Sequence, residues 1–327
     1  MSCVVVERAG LLESAHRVHV AVVDSEGRLT ASVGDAERII FHRSAAKPFQ
    51  AIPLVEDEVA ERFALTNEEL ALCCASHNGE PEHEALARSI LAKAGLDESA
   101  LECGPHPPLD RAAADALLRA GGSPRSIHNN CSGKHAGMLA LAVAHGWPTR
   151  GYVRRDHPVQ VRMLAEIGRW TKLEEGEIGL GKDGCGVVSF ATPLVRLAGA
   201  FARLGGAEGP PMQIVAAMCA HPFLVAGTGR FGTALGRAAG ERLFGKTGAE
   251  GVFAVGATDG SFGVAVKVED GGGRATPVAV LSVLDQMGVL DGIESESLST
   301  FRRPDVTNTL GENVGIIRAD FRLERPA

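Results

Sequence analysis

Apolar, β-branched-rich runs in VHVAVVDSEGRLTASVGD, residues 18–35, stand on either side of polar Asp24, Ser25, Glu26 and Gly27. β-Branched runs flanking a turn composition predict a hairpin, so the chain begins in a sheet. From residue 44 to about 240 the pattern becomes helical. In PEHEALARSILAKAGL, Leu86, Ile90 and Leu91 fall on one face, Pro81 suits the first turn and Gly95 the C-terminal cap. Such runs return in GVFAVGATDGSFGVAVKVEDGGGRATPVAV, which predicts two or three antiparallel strands with turns at Asp259–Ser261 and Gly271–Gly273, followed by a helix over VLSVLDQMGVL. A first hairpin that must find partners in the last strands, with a helical middle between them, predicts an α/β fold. Its antiparallel sheet is formed by N- and C-terminal strands, and helices pack against it. No Pro-rich linker, low-complexity stretch or internal repeat interrupts the pattern, so residues 1–327 read as a single domain.

The composition changes this picture only by exclusion. A chain of 327 residues with 45% hydrophobic and 22% charged residues can bury a substantial core. Its formal net charge of -7, with Lys and Arg scattered, offers no footprint for a phosphate backbone or an anionic membrane, so no nucleic-acid or membrane partner is expected. MSCVVVERAG has neither the basic start nor the long apolar run of an export signal, which predicts a cytoplasmic protein. No segment reaches the roughly 18 uncharged apolar residues of a membrane span. Seven cysteines, an odd number without a CxxC pair, argue against a disulfide framework.

Candidate chemistry begins at FHRSAAKPFQAI, residues 41–52, where Ser44 and Lys47 lie three apart at the opening of a helix. That spacing lets the amine reach the hydroxyl, and a helix start favours a developing oxyanion. Alone, the pair reads first as an ordinary helix start with a solvated lysine. CCASHNGEPEHE adds a Ser-x-Asn loop at Ser76–Asn78, and LFGKTGAEG adds Lys246-Thr247-Gly248 just before a predicted strand. S-x-x-K, S-D-N and K-T-G mark serine acyl-transfer enzymes of the β-lactamase kind, and forms of all three occur here in that order, with His77 in place of the middle Asp. Singly, Ser76 could be a helix cap and Lys246 a turn lysine. A lysine acts as a base only when burial or a neighbouring cation makes it neutral, and two lysines in one pocket would titrate as a coupled unit. The expectation is two pairs sharing one site, Ser44 with Lys47 and Ser76 with Lys246.

HNNCSGKHAGMLALAVAHGW, residues 128–147, resembles a phosphate loop only superficially: the positions that need Gly and Ser or Thr hold His128 and His135. With GKDGCG, residues 181–186, it offers soft and nitrogen donors for zinc, but at a spacing that fits no standard zinc module, and from chemistry alone buried structural cysteines are the better reading.

The ordered strings RSAAKPFQ, CCASHNGE, CGPHPP, HNNCSGKHAG, HPVQ, KDGCG and GTGRF resemble the L-asparaginase II family, the rhizobial-type asparaginases, from about residue 5 to residue 318. The resemblance implies a fold similar to serine β-lactamases and glutaminases, and hydrolysis of L-asparagine by a single catalytic domain. By position, Ser44 and Lys47 match the first Ser-Lys tandem and Ser76 the second serine. Lys246 is its partner by motif order, with Lys267 as the fallback. Cys131, Lys134 and Cys185 match a zinc site, whose role would be structural or substrate-orienting. Asp183 is the candidate for the substrate α-ammonium, Arg43 or Arg230 for its α-carboxylate, and His135 for orienting either. The resemblance also implies a homodimer. A glutaminase or other acyl hydrolase on the same scaffold, and a non-catalytic zinc or amino-acid binding protein, are the competing readings.

Overall fold

The computed structural model describes residues 2–293 and 295–326. Its strands are β1 (Cys3–Arg8), β2 (Leu11–Asp24), β3 (Leu29–Val33), β4 (Ile39–Phe41), β5 (Gly179–Lys182), β6 (Val188–Pro193), β7 (Leu243–Gly248), β8 (Val252–Ala257), β9 (Phe262–Val268), β10 (Asp305–Thr307) and β11 (Asn313–Asp320). The chain forms two compact units, one of residues 1–45, 192–206 and 234–327, the other of residues 46–191 and 207–233.

The first unit holds an antiparallel sheet in the order β10-β11-β1-β2-β9-β8-β7, with β3 also on β2. Strands from both ends of the sequence interleave, as the first hairpin required. The predicted turn is present, its Asp24 carboxylate accepting from the Glu26 and Arg28 amides. Val18 to Val23 are buried at every position rather than at alternate ones. A strand shows that pattern when both its faces are covered. Helix Leu194–Gly205 packs on β2, β8 and β9, and helix Ala275–Gln286 on β1, β8, β9 and β11.

The second unit is helical, with one hairpin, β5 and β6, whose Asp183–Val187 connection carries the KDGCG string. At its centre runs helix Ser132–His145, buried from Ser132 through Ala142. Helices Lys47–Glu56, Asn67–Cys73, Pro81–Lys93 and Pro158–Thr171 surround it, consistent with a sequence that is apolar on all sides.

Two local expectations differ from the structure. Helix Pro81–Lys93 buries His83, Ala87, Ile90 and Leu91, while Leu86 is half-buried, so the inward face is turned from the one read off the leucines. ATPVAV is not a further strand but the first turns of helix Ala275–Gln286, where Pro277 needs no amide partner. KTG lies just before a strand, β8, as expected, but is itself the end of a strand, β7.

His42 is fully buried in the first unit. Its Nε2 lies 2.7 Å from Thr192 Oγ1, and that hydroxyl donates to the Pro193 carbonyl, so the ring carries its proton on Nε2 and leaves Nδ1 without a partner among the described residues. Burial pushes His42 down from 6.5 to about 4. Because the folded value is depressed, the unfolded chain takes up the proton first. The contribution to stability is complete above about pH 6.5 and is lost as pH falls toward 4, about 3 kcal/mol in all at 1.36 kcal/mol per pH unit. Urea unfolding at pH 7.5 and pH 5 is expected to show a smaller acid loss for His42→Gln than for wild type; equal losses would remove His42 as a source of acid sensitivity.

Candidate active site

Ser44 lies in the first unit, half-buried in a 3₁₀ turn, Arg43–Ala46, that begins with Arg43 at φ 50°. A non-glycine residue in the left-handed region is backbone strain held by its surroundings, and such strain clusters at functional turns. β7 brings the KTG string to this turn. A Cβ on Gly248 would come 2.6 Å from the His42 carbonyl oxygen, so the approach requires glycine. Lys246, 1% exposed on the same strand, donates from Nζ to the Thr247 carbonyl at 2.9 Å. Lys267 is held at the far end of β9 by the carbonyls of Glu250, Val268 and Glu269. Lys246 thus lies two residues before the glycine that approaches His42, whereas Lys267 is held at the end of the sheet.

The second unit assembles the other candidates. Lys47 opens helix Lys47–Glu56 and is 1% exposed. Its Nζ donates to the Ala75 carbonyl at 2.5 Å, to Ser76 Oγ at 2.9 Å and to Cys131 Sγ at 3.1 Å. These three acceptors surround the amine. Spacing of i and i+3 predicted Ser44 as the partner of Lys47; the hydrogen bonds go instead to the Ser76 loop and to Cys131.

That loop is pinned from both sides. The Ser76 amide donates to the Val225 carbonyl and the His77 amide to the Asn130 carbonyl. His77 Nδ1 accepts from the Gly79 amide, which leaves Nε2 to donate to Ser132 Oγ at 3.0 Å. This explains how histidine serves where the acyl-transfer motif has aspartate: here the middle residue is a buried strut. Asn78 donates to the Thr228 carbonyl and accepts from Arg230 Nη1 at 2.9 Å. Arg230 therefore braces the Ser-x-Asn loop, and burial lowers its pKa. Gly227, at φ 125°, lies so close to Asn78 that a Cβ would meet its Cγ at 2.5 Å. Glu80 completes the bracing by accepting from the Thr228 amide and hydroxyl.

Beside Lys47 stands a sulfur and nitrogen cluster. Cys131 precedes helix Ser132–His145, Lys134 lies in its first turn, and Cys185 is on the β5–β6 connection. Lys134 Nζ donates to Cys185 Sγ at 3.0 Å. A hydrogen bond from Cys131 pulls the Cys185 thiol down to about 5, against the opposing effect of burial. Cys131 is pushed up to about 12 by the same sharing and by burial. Burial works against a charged Lys134, but the charges of Cys185, Cys131 and Asp183 more than offset it and hold the amine above its ordinary range. Cys185 is thus a thiolate paired with an ammonium. Its 3.6 Å approach to Asp183 Oδ2 is a like-charge contact rather than a hydrogen bond. Asp183 is half-buried, its other oxygen accepting from the Gly184 amide.

Two sulfurs and an amine suit a borderline-soft divalent ion such as zinc better than magnesium or calcium. Among the described residues no group of three or more His, Cys, Asp and Glu side chains could hold a metal, so a metal here depends on the amine of Lys134. That amine must lose its proton to ligate.

His135 is fully buried, with Nδ1 at 2.7 Å from Tyr152 Oη and Nε2 without a partner among the described residues. Burial, then the charge of Lys134, depresses it to about 3, so the ring is neutral. Sequence reasoning missed Tyr152, the one tyrosine in the chain, and the brace formed by Glu80 and Thr228. A lone buried tyrosine carries no motif, and only the GTGRF string marked the second half of that brace.

The sequence model of the L-asparaginase II family matches residues 4–319. Among curated proteins, none matches the chain. No helix of the described residues is long and apolar enough to cross a membrane.

Proposed function

The chain belongs to the L-asparaginase II family and is an amidohydrolase, and on that premise we propose that it hydrolyses L-asparagine to L-aspartate and ammonia through a serine nucleophile served by Lys47. The observation that supports a serine–lysine site is the buried Lys47 amine 2.9 Å from Ser76 Oγ, in a loop braced by Asn78 and Arg230; the choice of Ser44 as nucleophile rests on its match to the first Ser-Lys tandem and on its greater exposure. An attacking hydroxyl must be open to substrate. Ser44 is half-buried, whereas Ser76 is 4% exposed and already accepts from Lys47. Ser44 is therefore assigned the attack, Lys47 in its neutral form the removal of its proton, and Ser76 the relay that returns the proton to departing ammonia. Water then cleaves the aspartyl ester, and the serine proton is restored. Lys246 is the second amine of the pair.

Asp183 is assigned the α-ammonium group, and Arg43 or Arg230 the α-carboxylate, as charge complementarity requires. Cys131, Lys134 and Cys185 would hold a zinc ion. When bound, it supplies a fixed positive charge that ties the β5–β6 connection to helix Ser132–His145 and orients Asp183, a structural contribution rather than a chemical step. A homodimer is proposed from the family resemblance alone, with sedimentation equilibrium as its test.

Ammonia release, measured separately with L-asparagine and L-glutamine, tests the reading. Release from asparagine is expected. After chelation, KM should rise about tenfold or more with kcat within about twofold, as loss of an orienting group predicts. If the folded, metal-loaded protein releases ammonia from neither amide, the asparaginase reading fails. Loss of turnover at saturating asparagine after chelation would overturn the orienting role of the metal.

A further inference from the structure

Tyr152 is fully buried and held at both ends. Its carbonyl accepts from Gln160 Nε2 at 2.9 Å, and its hydroxyl oxygen accepts from the Glu102 amide at 2.9 Å. Gln160 Oε1 in turn accepts from the Val188 amide, which fixes the tyrosine to the start of β6. The same hydroxyl stands 2.7 Å from His135 Nδ1. A phenol has one proton to give. If His135 carried its own proton on Nδ1, the hydroxyl would accept twice, and its proton would lie in the interior with no acceptor among the described residues. Placing the histidine proton on Nε2 satisfies every group: Glu102 donates to the phenol oxygen, the phenol donates to Nδ1, and the ring presents Nε2–H.

That Nε2–H is buried and has no partner among the described residues. Buried donors are almost always paired, so an orphan at a candidate site points to a partner the protein does not itself contain. A donor fits an oxygen and not a metal, because the outward nitrogen has no free lone pair; this separates His135 from the neighbouring cysteines and lysine. His135 follows Lys134 in the first turn of helix Ser132–His145, next to the cysteine and lysine cluster. If Asp183 takes the α-ammonium of an amino acid, the carboxylate on the same carbon must lie close by.

We propose that Tyr152 is a positioning residue for the amidohydrolase: its hydroxyl locks His135 in the Nε2–H tautomer, so that the ring donates to the α-carboxylate of the amino-acid amide. The substrate assignment rests on the asparaginase reading; the tautomer does not. Long-range ¹H–¹⁵N correlation of the ¹⁵N-labelled protein at pH 7.5, with His135 assigned by its absence in His135→Gln, should show the proton on Nε2 in wild type. Tyr152→Phe should move the Nδ1 resonance, and should raise KM for L-asparagine about tenfold with kcat within about twofold, the scale of one aligned neutral hydrogen bond. In a His135→Ala background the same substitution should change KM little, because the tyrosine acts only through the ring.

A wild-type proton on Nδ1 would overturn the proposal, and this holds even if the tyrosine variant does not fold. A Tyr152→Phe effect that persists undiminished beside His135→Ala would overturn it equally, since a merely structural tyrosine behaves that way. Absence of wild-type turnover with an Nε2–H ring would sink the substrate role and the asparaginase reading while leaving the tautomer lock intact.

Discussion

Lys47→Met is expected to lower kcat for L-asparagine by at least about 10³-fold, the range over which removal of a general base from covalent catalysis acts. Methionine keeps the unbranched stem and removes the amine, so the helix start at Lys47 and the packing along the side chain persist. What goes is the donor to the Ala75 carbonyl, Ser76 Oγ and Cys131 Sγ. Unpaired acceptors in the interior cost about 1–3 kcal/mol, and release from burying a cation offsets part of that. The variant should therefore unfold at a somewhat lower temperature, yet remain folded in circular dichroism at 25 °C. A folded Lys47→Met enzyme retaining more than about a tenth of the wild-type kcat would remove Lys47 from the chemistry and leave it a structural cation tying the Ser76 loop to Cys131.

The two serines should separate by what each variant can still form. Ser44→Ala should lose ammonia release to about the same extent as Lys47→Met and yield no acyl-enzyme on rapid quenching and intact-mass measurement, because the nucleophile is gone. Ser76→Ala should slow turnover by about 10²-fold, the lower range for a positioned proton relay, while a covalent aspartyl adduct still accumulates. The distinction comes from exposure: Ser44 is half-buried in a strained turn, and Ser76 is 4% exposed with its oxygen engaged by Lys47. An adduct that forms in Ser44→Ala and is missing in Ser76→Ala would reverse the roles and make the Lys47–Ser76 hydrogen bond the nucleophile–base contact itself.

Much of this fold was legible because it rests on local chemistry. The turn after Asp24 is written in four residues, and the return of β-branched runs after residue 250 marks the strands that join the first hairpin. Continuous burial of Val18–Val23 was not legible, since it depends on helices brought from residues 194–205 and 275–286. The β5–β6 hairpin was hidden for a related reason: GLGKDGCGVV is short and rich in glycine, and its strands are held by pairing rather than propensity. At the site, residue types were readable and partners were not. A lysine three residues from a serine suggests a local bond, but a buried ammonium needs three acceptors and one neighbouring hydroxyl supplies only one. The amine turns to where three are available, and nothing in residues 41–52 encodes Ala75 or Cys131. Likewise the lock on His135 joins residues 17 positions apart through a tyrosine that belongs to no motif.

The pairing of β1 with β11, Cys3 opposite Asp320, carries a consequence for how the chain is made. Until β11 has left the ribosome, β1 presents one bare edge, and the β2 neighbours in β9 must also wait for most of the chain. Closing contacts over so long a loop costs chain entropy before it returns any stability, so the sheet should be among the last parts to form. The helical stretch from residue 46 to 191, whose contacts are nearer in sequence, can collapse earlier during synthesis. The serine turn at 43–46 would then acquire its strained geometry only when β7 arrives to set Gly248 against His42, so a stalled, incomplete chain would carry the helical unit before that turn is formed.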